Sequence, residues 1–425
     1  MIAHIDADSF FASVLVRQHP HLRGKPLLAL GMGGSCVIAA SYEAKDKGVR
    51  TGMRLKDALT LVPQAIQMSA DFRETGNASH QIESVLRSVC PVIEQMSIDE
   101  WYLDLRTVVG GTPEDLMTWG KDIQAKILRI TGLSVSAGIG PSKLLAKMAG
   151  EYRKPAGVTV LAPPEAQNSK LETNSNFKDL NLKNCFGIRI LDFLKDRPAA
   201  AIPGIGRALT PRVNAKGWKT AWDIATAPRH EMVKLCGRPG AEMQRELLGE
   251  CLSPVRSESD PPKSVSRTRS FRATADRAFL WAHLLKHLEY TVMKMRREGL
   301  ACRGISMWLR GDARHDYAHG GASASLPQPA DTVGAVLPYL RRCFEREFRL
   351  GTLYTQTGLA LWHLVPTGSP QYSLFEAPLQ TKHEEDIQRT LDGLHERFGR
   401  NAITRGSALQ VKSGTSKSFE MAVYE

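Results

Sequence analysis

The sequence predicts a multidomain α+β protein, and three observations carry that reading. Residues 1 to about 162 mix β-prone apolar runs with segments of helical period. Pro, Ser and mixed charge break the chain at SPVRSESDPPKSVSRTRSF, residues 253–271. Beyond the break, strand-like and helix-like segments alternate in the manner of a four-stranded α+β sheet. At 425 residues, roughly three domains of about 150 residues are expected.

In chain order, IAHID reads as a short strand, and SFFASVLVRQHP as a helix ending before Pro20. KPLLAL and CVIAAS flank a Gly-rich turn; YEAKDKGV and RLKDALTLVP are helix-like, closed by Gly48 and Pro63. PVIEQMSIDEWYLDL reads as two strands joined by a tight turn. Helix DLMTWGKDIQAKILRITG, strand LSVSAGIG and helix SKLLAKMAGEYRK follow. Residues 164–195 form a polar insertion, after which short helices surround Gly-Ile-Gly. Past the break come helix FLWAHLLKHLEYTVMKMRREG, strand CRGISMWLRG, helix VLPYLRRCFEREFR and strand TQTGLALWHLV, with a leading strand near Arg267. A further helix is expected near residues 382–398.

The net charge of +12 raises the expectation of a polyanionic partner. The charge is clustered: Lys263 to Arg310 holds 11 Lys or Arg against Asp276, Glu289 and Glu298. No run approaches the ~20 apolar residues of a membrane span, and no signal peptide is expected. Seven scattered cysteines without a Cys-x-x-Cys pair suit reduced thiols and a cytoplasmic protein. His283 and His287, one turn apart with no third ligand nearby, read as helix-surface residues.

The chemistry concentrates in two acidic motifs. In IDADSFF, Asp6 and Asp8 sit at the end of a strand, where alternate residues share a face. In SIDEWYLDL, Asp99 and Glu100 fall at a hairpin turn among residues expected to be buried. Buried carboxylates are costly without a compensating cation. A strand-end aspartate plus a hairpin Asp-Glu suits a two-metal phosphoryl-transfer centre, with two Mg2+ ions about 3.5–4 Å apart. Each acid alone could equally be a turn or cap residue.

These motifs resemble those of the Y-family, or translesion, DNA polymerases. The matching stretches are HIDADSFFASV, GKP at 24–26, CVIAASYEAKDKGVRTGM, SIDEWYLDL, SVSAGIGPSKLLAKMA, RKPAGV and IPGIG, in the family's order. The resemblance implies a right-hand polymerase with a ferredoxin-like palm (1–22 and 73–163), small fingers (23–72) and a helical thumb with a helix-hairpin-helix (164–255). A little finger (263–366) and a tail with a clamp-binding peptide (367–425) complete it. It implies error-prone, template-directed addition of dNTPs to a primer 3′ end, without proofreading.

Residue by residue, the resemblance makes Asp6 and Asp99 bridging metal ligands, with Glu100 on the metal that activates the primer hydroxyl and the Ala7 carbonyl on the nucleotide's metal. Ser9 and Phe10 lie beside the triphosphate, at a helix N-terminus that favours phosphate. Phe11 matches the steric gate against a ribose 2′-hydroxyl. Cys36 and Ile38 match the roof over the nascent base pair, and Tyr42, Lys45 and Lys154 match groups that grip the triphosphate. Lys45 replaces the commoner arginine and so lacks its bidentate fork. Asp8 is expected to cap the helix beginning at Ser9.

For DNA, Gly204, Gly206 and Arg207 of the IPGIGRAL hairpin would meet phosphate, as would Arg267 and Arg269, alternating on a strand. Gln371, Leu374 and Phe375 of QYSLF resemble a sliding-clamp peptide. CVIA, Lys45 and the long tail look closer to the UmuC branch than to the DinB branch; UmuC likeness would bring a UmuD-type dimer and RecA as partners. Two rival readings share the acidic motifs: a palm-fold nucleotidyl cyclase, and a non-catalytic DNA-bound scaffold.

Overall fold

The computed structural model describes residues 1–31, 34–162, 188–257, 260–312, 319–367 and 378–398, with 403 and 406. The QYSLF peptide and most of the polar insertion lie outside them. The chain forms two compact units, one holding the described residues up to 257 and the other those from 260 on.

The first unit is organised by strand β1 (Ile2–Ala7), which is buried along its whole length. It lies between β6 (Glu100–Asp104) and β7 (Val135–Gly140), antiparallel to both. β5 (Ile93–Gln95), β8 (Val158–Ala162) and β9 (Ile188–Arg189) complete a six-stranded sheet of order β5-β6-β1-β7-β8-β9. The period of two then sorts the side chains of β1. Ala3, Ile5 and Ala7 join a core with helices α4 (Phe72–Arg87) and α5 (Leu116–Thr131). Ile2, His4 and Asp6 take the opposite face, over which α6 (Lys143–Tyr152) packs.

Helix α4 is not legible in the sequence, because Gly76, Asn77 and Ser79 dilute its propensity. Its Asp71 N-cap, which accepts from the Glu74 amide, and burial of Ile82, Val85 and Leu86 compensate. α6 approaches the sheet at backbone contact. A Cβ at Gly138 would stand 2.1 Å from the Ala146 carbonyl oxygen and the Gly150 nitrogen.

Helix α1 (Phe10–Gln18) joins this sheet to a second one. β2 (Leu27–Leu30), β3 (Val37–Ala40) and β4 (Ile66–Ser69) form a three-stranded sheet of order β3-β2-β4. Ala12 and Leu15 of α1 share one apolar cluster with Leu27, Ala29 and Ala39 of that sheet. Short helices α2 (Tyr42–Lys45) and α3 (Leu55–Leu61) flank it. Further along, α7 (Ile190–Asp196), α8 (Thr210–Asn214), α9 (Ala221–Thr226), α10 (Arg229–Cys236) and α11 (Arg238–Leu247) gather around Phe193, Val213, Ile224 and Leu247. Leu145, Met148 and Ala149 of α6 belong to the same cluster.

The second unit has a four-stranded sheet of order β10-β13-β11-β12: β10 (Ser264–Thr274), β11 (Leu300–Gly311), β12 (His319–Ala330) and β13 (Tyr354–Pro366). Strand β12 was not expected, since its stretch contains two prolines; as an edge strand it tolerates them. Helices α12 (Arg277–Arg297) and α13 (Val333–Glu347) cover one face, and α14 (Pro378–Phe398) follows. Arg296 of α12 bonds Asp392 of α14 at 2.7 Å.

The expectation that His283 and His287 lie on a helix surface is corrected: they are 2% and 1% exposed. His283 stacks on Phe271, and His287 meets the Thr357 hydroxyl at 3.2 Å. Burial depresses their pKa values to about 4 and about 3, so both are neutral core groups.

The other sheet face carries Ser264, Ser266 and Thr268 on β10, Ser306 and Trp308 on β11, and Ala360 and Trp362 on β13. A Cβ at Gly358 would fall 2.0 Å from the Trp308 ring, and one at Gly304 would fall 2.4 Å from the Trp362 ring. Both indoles therefore lie flat across glycines.

Candidate active site

The pairing of β1 with β6 sets Asp6 directly opposite Glu100. Both side chains fall on the α6 face, and so does His4, whose ring meets Tyr102 at 4.9 Å. Donor atoms of His4, Asp6 and Glu100 lie within 4.8 Å of one another. The Asp99 side chain is turned into its own hairpin, where its carboxylate accepts from the Ser97 hydroxyl at 2.6 Å. Its main chain is nonetheless in place, because the Ala7 amide donates to the Asp99 carbonyl at 2.9 Å. The structure thus gathers Asp6 and Glu100, adds His4, and leaves the Asp99 carboxylate outside the cluster.

Two lysines compensate the acids. Lys154 Nζ is 2.6 Å from Asp6 Oδ1 and 2.7 Å from Glu151. Lys147 Nζ, from α6, is 2.5 Å from Glu100 Oε1. Desolvation pushes the Asp6 pKa up to about 7, against the pull of the Lys154 ammonium. Glu100 moves the other way: His4 beside it and the Lys147 ammonium hold its carboxyl well below the usual range.

His4 is fully buried with neither ring nitrogen hydrogen-bonded, its Nε2 3.5 Å from Glu100 Oε1. Burial lowers its pKa, so the ring is a neutral donor. Clustered carboxylates backed by an unsatisfied buried donor fit a divalent cation; hard Mg2+ would take the oxygens of Asp6 and Glu100. Sequence reasoning missed His4 and Lys147. The available signals were a polar residue inside an otherwise apolar strand, and a lysine amid the small residues Ala146, Ala149 and Gly150.

Asp8 does not cap α1. Ser9 occupies the N-cap position at φ 47° with no side-chain cap bond. The Asp8 carboxylate, 1% exposed, instead accepts from the Ser136 hydroxyl (2.7 Å), the Ala156 amide (2.9 Å) and the Tyr42 hydroxyl (3.3 Å). It therefore ties β1 to β7, to the loop that carries Lys154, and to α2. A buried carboxylate with three donors is better satisfied than one at an exposed cap.

Around the N-terminus of α1, Lys45 Nζ donates to the Ser9 hydroxyl at 2.7 Å and lies 4.6 Å from the Tyr42 ring centre. Burial and the neighbouring Lys154 lower the Lys45 pKa. Ser9, Tyr42, Lys45 and Lys154 thus converge where free helix amides point, a setting for phosphate. The phenylalanines separate. Phe10 is 2% exposed, its ring packed in the apolar core. Phe11 is half-buried, its ring edge-on to Phe72 at 5.6 Å. Ile38 is packed in the same small cluster as Phe11, and Cys36 bridges to Arg54.

Gly204, at φ 102°, and Gly206 lie exposed with Arg207, in a turn anchored by buried Ile202 and Ile205. Arg267 stacks 4.4 Å over the Tyr290 ring on the α12 side of β10. Arg269 shares that side, so this pair does not belong to the open sheet face.

An acidic pair between antiparallel strands, beside a helix N-terminus ringed by Lys45 and Lys154, has the make-up of a nucleotidyltransferase centre. Residues 5–151 match the model of the impB/mucB/samB family, and residues 262–374 match that family's C-terminal domain. A protein named DNA polymerase IV from Neisseria meningitidis is 35% identical over 262 residues, 61% of this chain and 74% of that protein. Another of that name, from Caulobacter vibrioides, is 28% identical over 96% of this chain and 94% of its own length. Among solved structures, a Y-family DNA polymerase chimera of Dbh and Dpo4 superposes with TM-score 0.69 at 24% identity, covering 86% of this chain and 99% of its own. DinB from Sulfolobus solfataricus has the same fold, with TM-score 0.53 at 23% identity and the same coverage. The chain belongs to the impB/mucB/samB family, the Y-family DNA polymerases.

Proposed function

We propose that the chain is a template-directed, error-prone DNA polymerase of the polymerase IV kind, extending a primer 3′ end with dNTPs. One observation carries the reading: Asp6 and Glu100 face each other across β1 and β6, beside the α1 N-terminus with its Ser9, Tyr42, Lys45 and Lys154 cluster. Asp6 and Glu100 would hold the Mg2+ ions, with Asp99 joining by turning away from Ser97. Bound there, the metal supplies charge stabilisation and an acidified primer hydroxyl. Lys45 and Lys154 hold the triphosphate, the α1 amides meet its oxygens, and the Asp8 bonds keep Tyr42 and the Lys154 loop in register.

Phe11, half-buried with its ring edge-on to Phe72, would exclude a 2′-hydroxyl. Phe11→Ala should raise ribonucleotide incorporation about 100-fold or more, a discrimination expected where a steric or polar mismatch costs roughly 3 kcal/mol. Single-nucleotide kinetics with dNTP and rNTP measure it, and unchanged sugar selectivity removes Phe11 from the role.

DNA contact is assigned to the Gly204–Arg207 turn and to the open face of the second unit's sheet. Its Ser and Thr hydroxyls, flat indoles and exposed Arg310 suit a sugar–phosphate surface. The relatives described above favour a DinB-like branch. The UmuC likeness rests on CVIA, Lys45 and the tail, and a UmuD-type dimer and RecA rest on it in turn. Clamp binding through Gln371, Leu374 and Phe375 rests on QYSLF alone.

Primer extension with Mg2+, comparing wild type with Asp99→Ala/Glu100→Ala, tests the function. Template-dependent synthesis by the isolated wild-type chain, absent in the double variant, supports it. Synthesis surviving the double change removes the acidic centre as its cause. Persistent DNA binding without synthesis in wild type would favour the scaffold, and cyclisation of a free nucleoside triphosphate would favour the cyclase.

A further inference from the structure

Asp6 and Glu100 each already hold one ammonium, but their two lysines are not alike. Lys154 sits on the loop after α6, tied by the Ala156 amide to Asp8, and stands among the phosphate-binding groups. Lys147 projects from the middle of α6, whose backbone abuts β7 at Gly138. Its ammonium rests on Glu100 Oε1, the same oxygen that faces His4 Nε2. A cation approaching that oxygen meets one already there.

We propose that Lys147 is a resident counter-cation of Glu100 that competes with divalent metal for its carboxylate and so weakens metal binding to the free protein. Lys147 and Lys154 offset most of the charge of Asp6, Glu100 and Glu151, so a dication gains less by entering alone. Loss of the Lys147 charge makes the pocket more negative by one charge and frees the Glu100 oxygen. The inference rests on the metal-site reading of Asp6 and Glu100, and the experiment separates the two.

Mn2+ binding is measured from the free-ion electron paramagnetic resonance signal, with protein alone and neither DNA nor nucleotide. Opposite charges at this range bias a carboxylate by roughly 1–3 pKa units, so Lys147→Met should tighten Mn2+ binding at least about tenfold. Lys147→Arg should stay near wild type, because it keeps the charge. Unchanged or weaker binding in Lys147→Met at an unaltered melting temperature overturns the inference, as does Met-like affinity in Lys147→Arg. A merely structural role would lower the melting temperature and loosen the site; if Lys147→Met fails to fold, Lys147→Gln carries the same comparison. Asp6→Asn and Glu100→Gln are the controls: Mn2+ binding that survives both refutes the metal site itself, whatever Lys147 does.

Discussion

Asp6→Asn should abolish primer extension, lowering single-turnover incorporation on the order of 10³-fold or more. The argument is one of charge. Asparagine keeps the shape and one carbonyl oxygen but removes the anion opposite Glu100. Losing about 4 kcal/mol of metal-mediated charge stabilisation corresponds to that factor. The fold should survive, because Asp6 stands at the open end of a fully buried strand that is paired on both sides. A variant that retains more than about a tenth of wild-type rate, measured against a matched melting temperature, would remove Asp6 from the chemistry.

The same side chain predicts a pH signature. Desolvation has raised its pKa to about 7, so the carboxylate is lost as pH falls through that value. Extension at limiting Mg2+ should then drop about tenfold per pH unit below 7, and saturating Mg2+ should move the limb to lower pH by competing with the proton. A limb that stays fixed across Mg2+ concentrations would assign the titration to another group.

Gly138→Ala should be among the most destabilising single changes in the first unit. Its Cβ would overlap backbone atoms of α6, and backbone cannot yield as a flexible side chain can. Relief requires α6 to lift from β7, which would open the packing of Leu145, Met148 and Ala149. A cost of about 3–5 kcal/mol is expected, a fall in melting temperature of roughly 10 °C or more for a unit of this size. Gly206→Ala is the control, since nothing lies within 4 Å of its would-be Cβ. Equal melting temperatures for the two variants would show that the helix can ride over the added methyl.

Much of this arrangement was legible from local pattern. The strand–turn–strand around Asp99, the α1 helix, and strands β10, β11 and β13 of the second unit follow from period and turn chemistry, whereas the proline-bearing β12 does not. What escaped depended on partners distant in sequence. Asp8 looks like a cap because an aspartate precedes a helix; its actual donors, Tyr42, Ser136 and Ala156, lie 34, 128 and 148 residues away. His283 and His287 look exposed because histidine usually does, whereas the Phe271 and Thr357 that bury them arrive from other strands. Lys147 was invisible as a site residue until the register of Gly138 against Gly150 set α6 over the sheet.

The attachment of the three-stranded sheet bears on how this polymerase can choose a nucleotide at all. Helix α1 is shared: its N-terminal end belongs to the acidic centre, and its Ala12 and Leu15 pack into the smaller sheet. Asp8 adds a second tether through Tyr42, and Ser9 a third through Lys45. These three links fasten the smaller sheet to the acidic centre, so a nucleotide held by one is held by the other. A substitution that loosens any one of them would therefore be felt at both sheets.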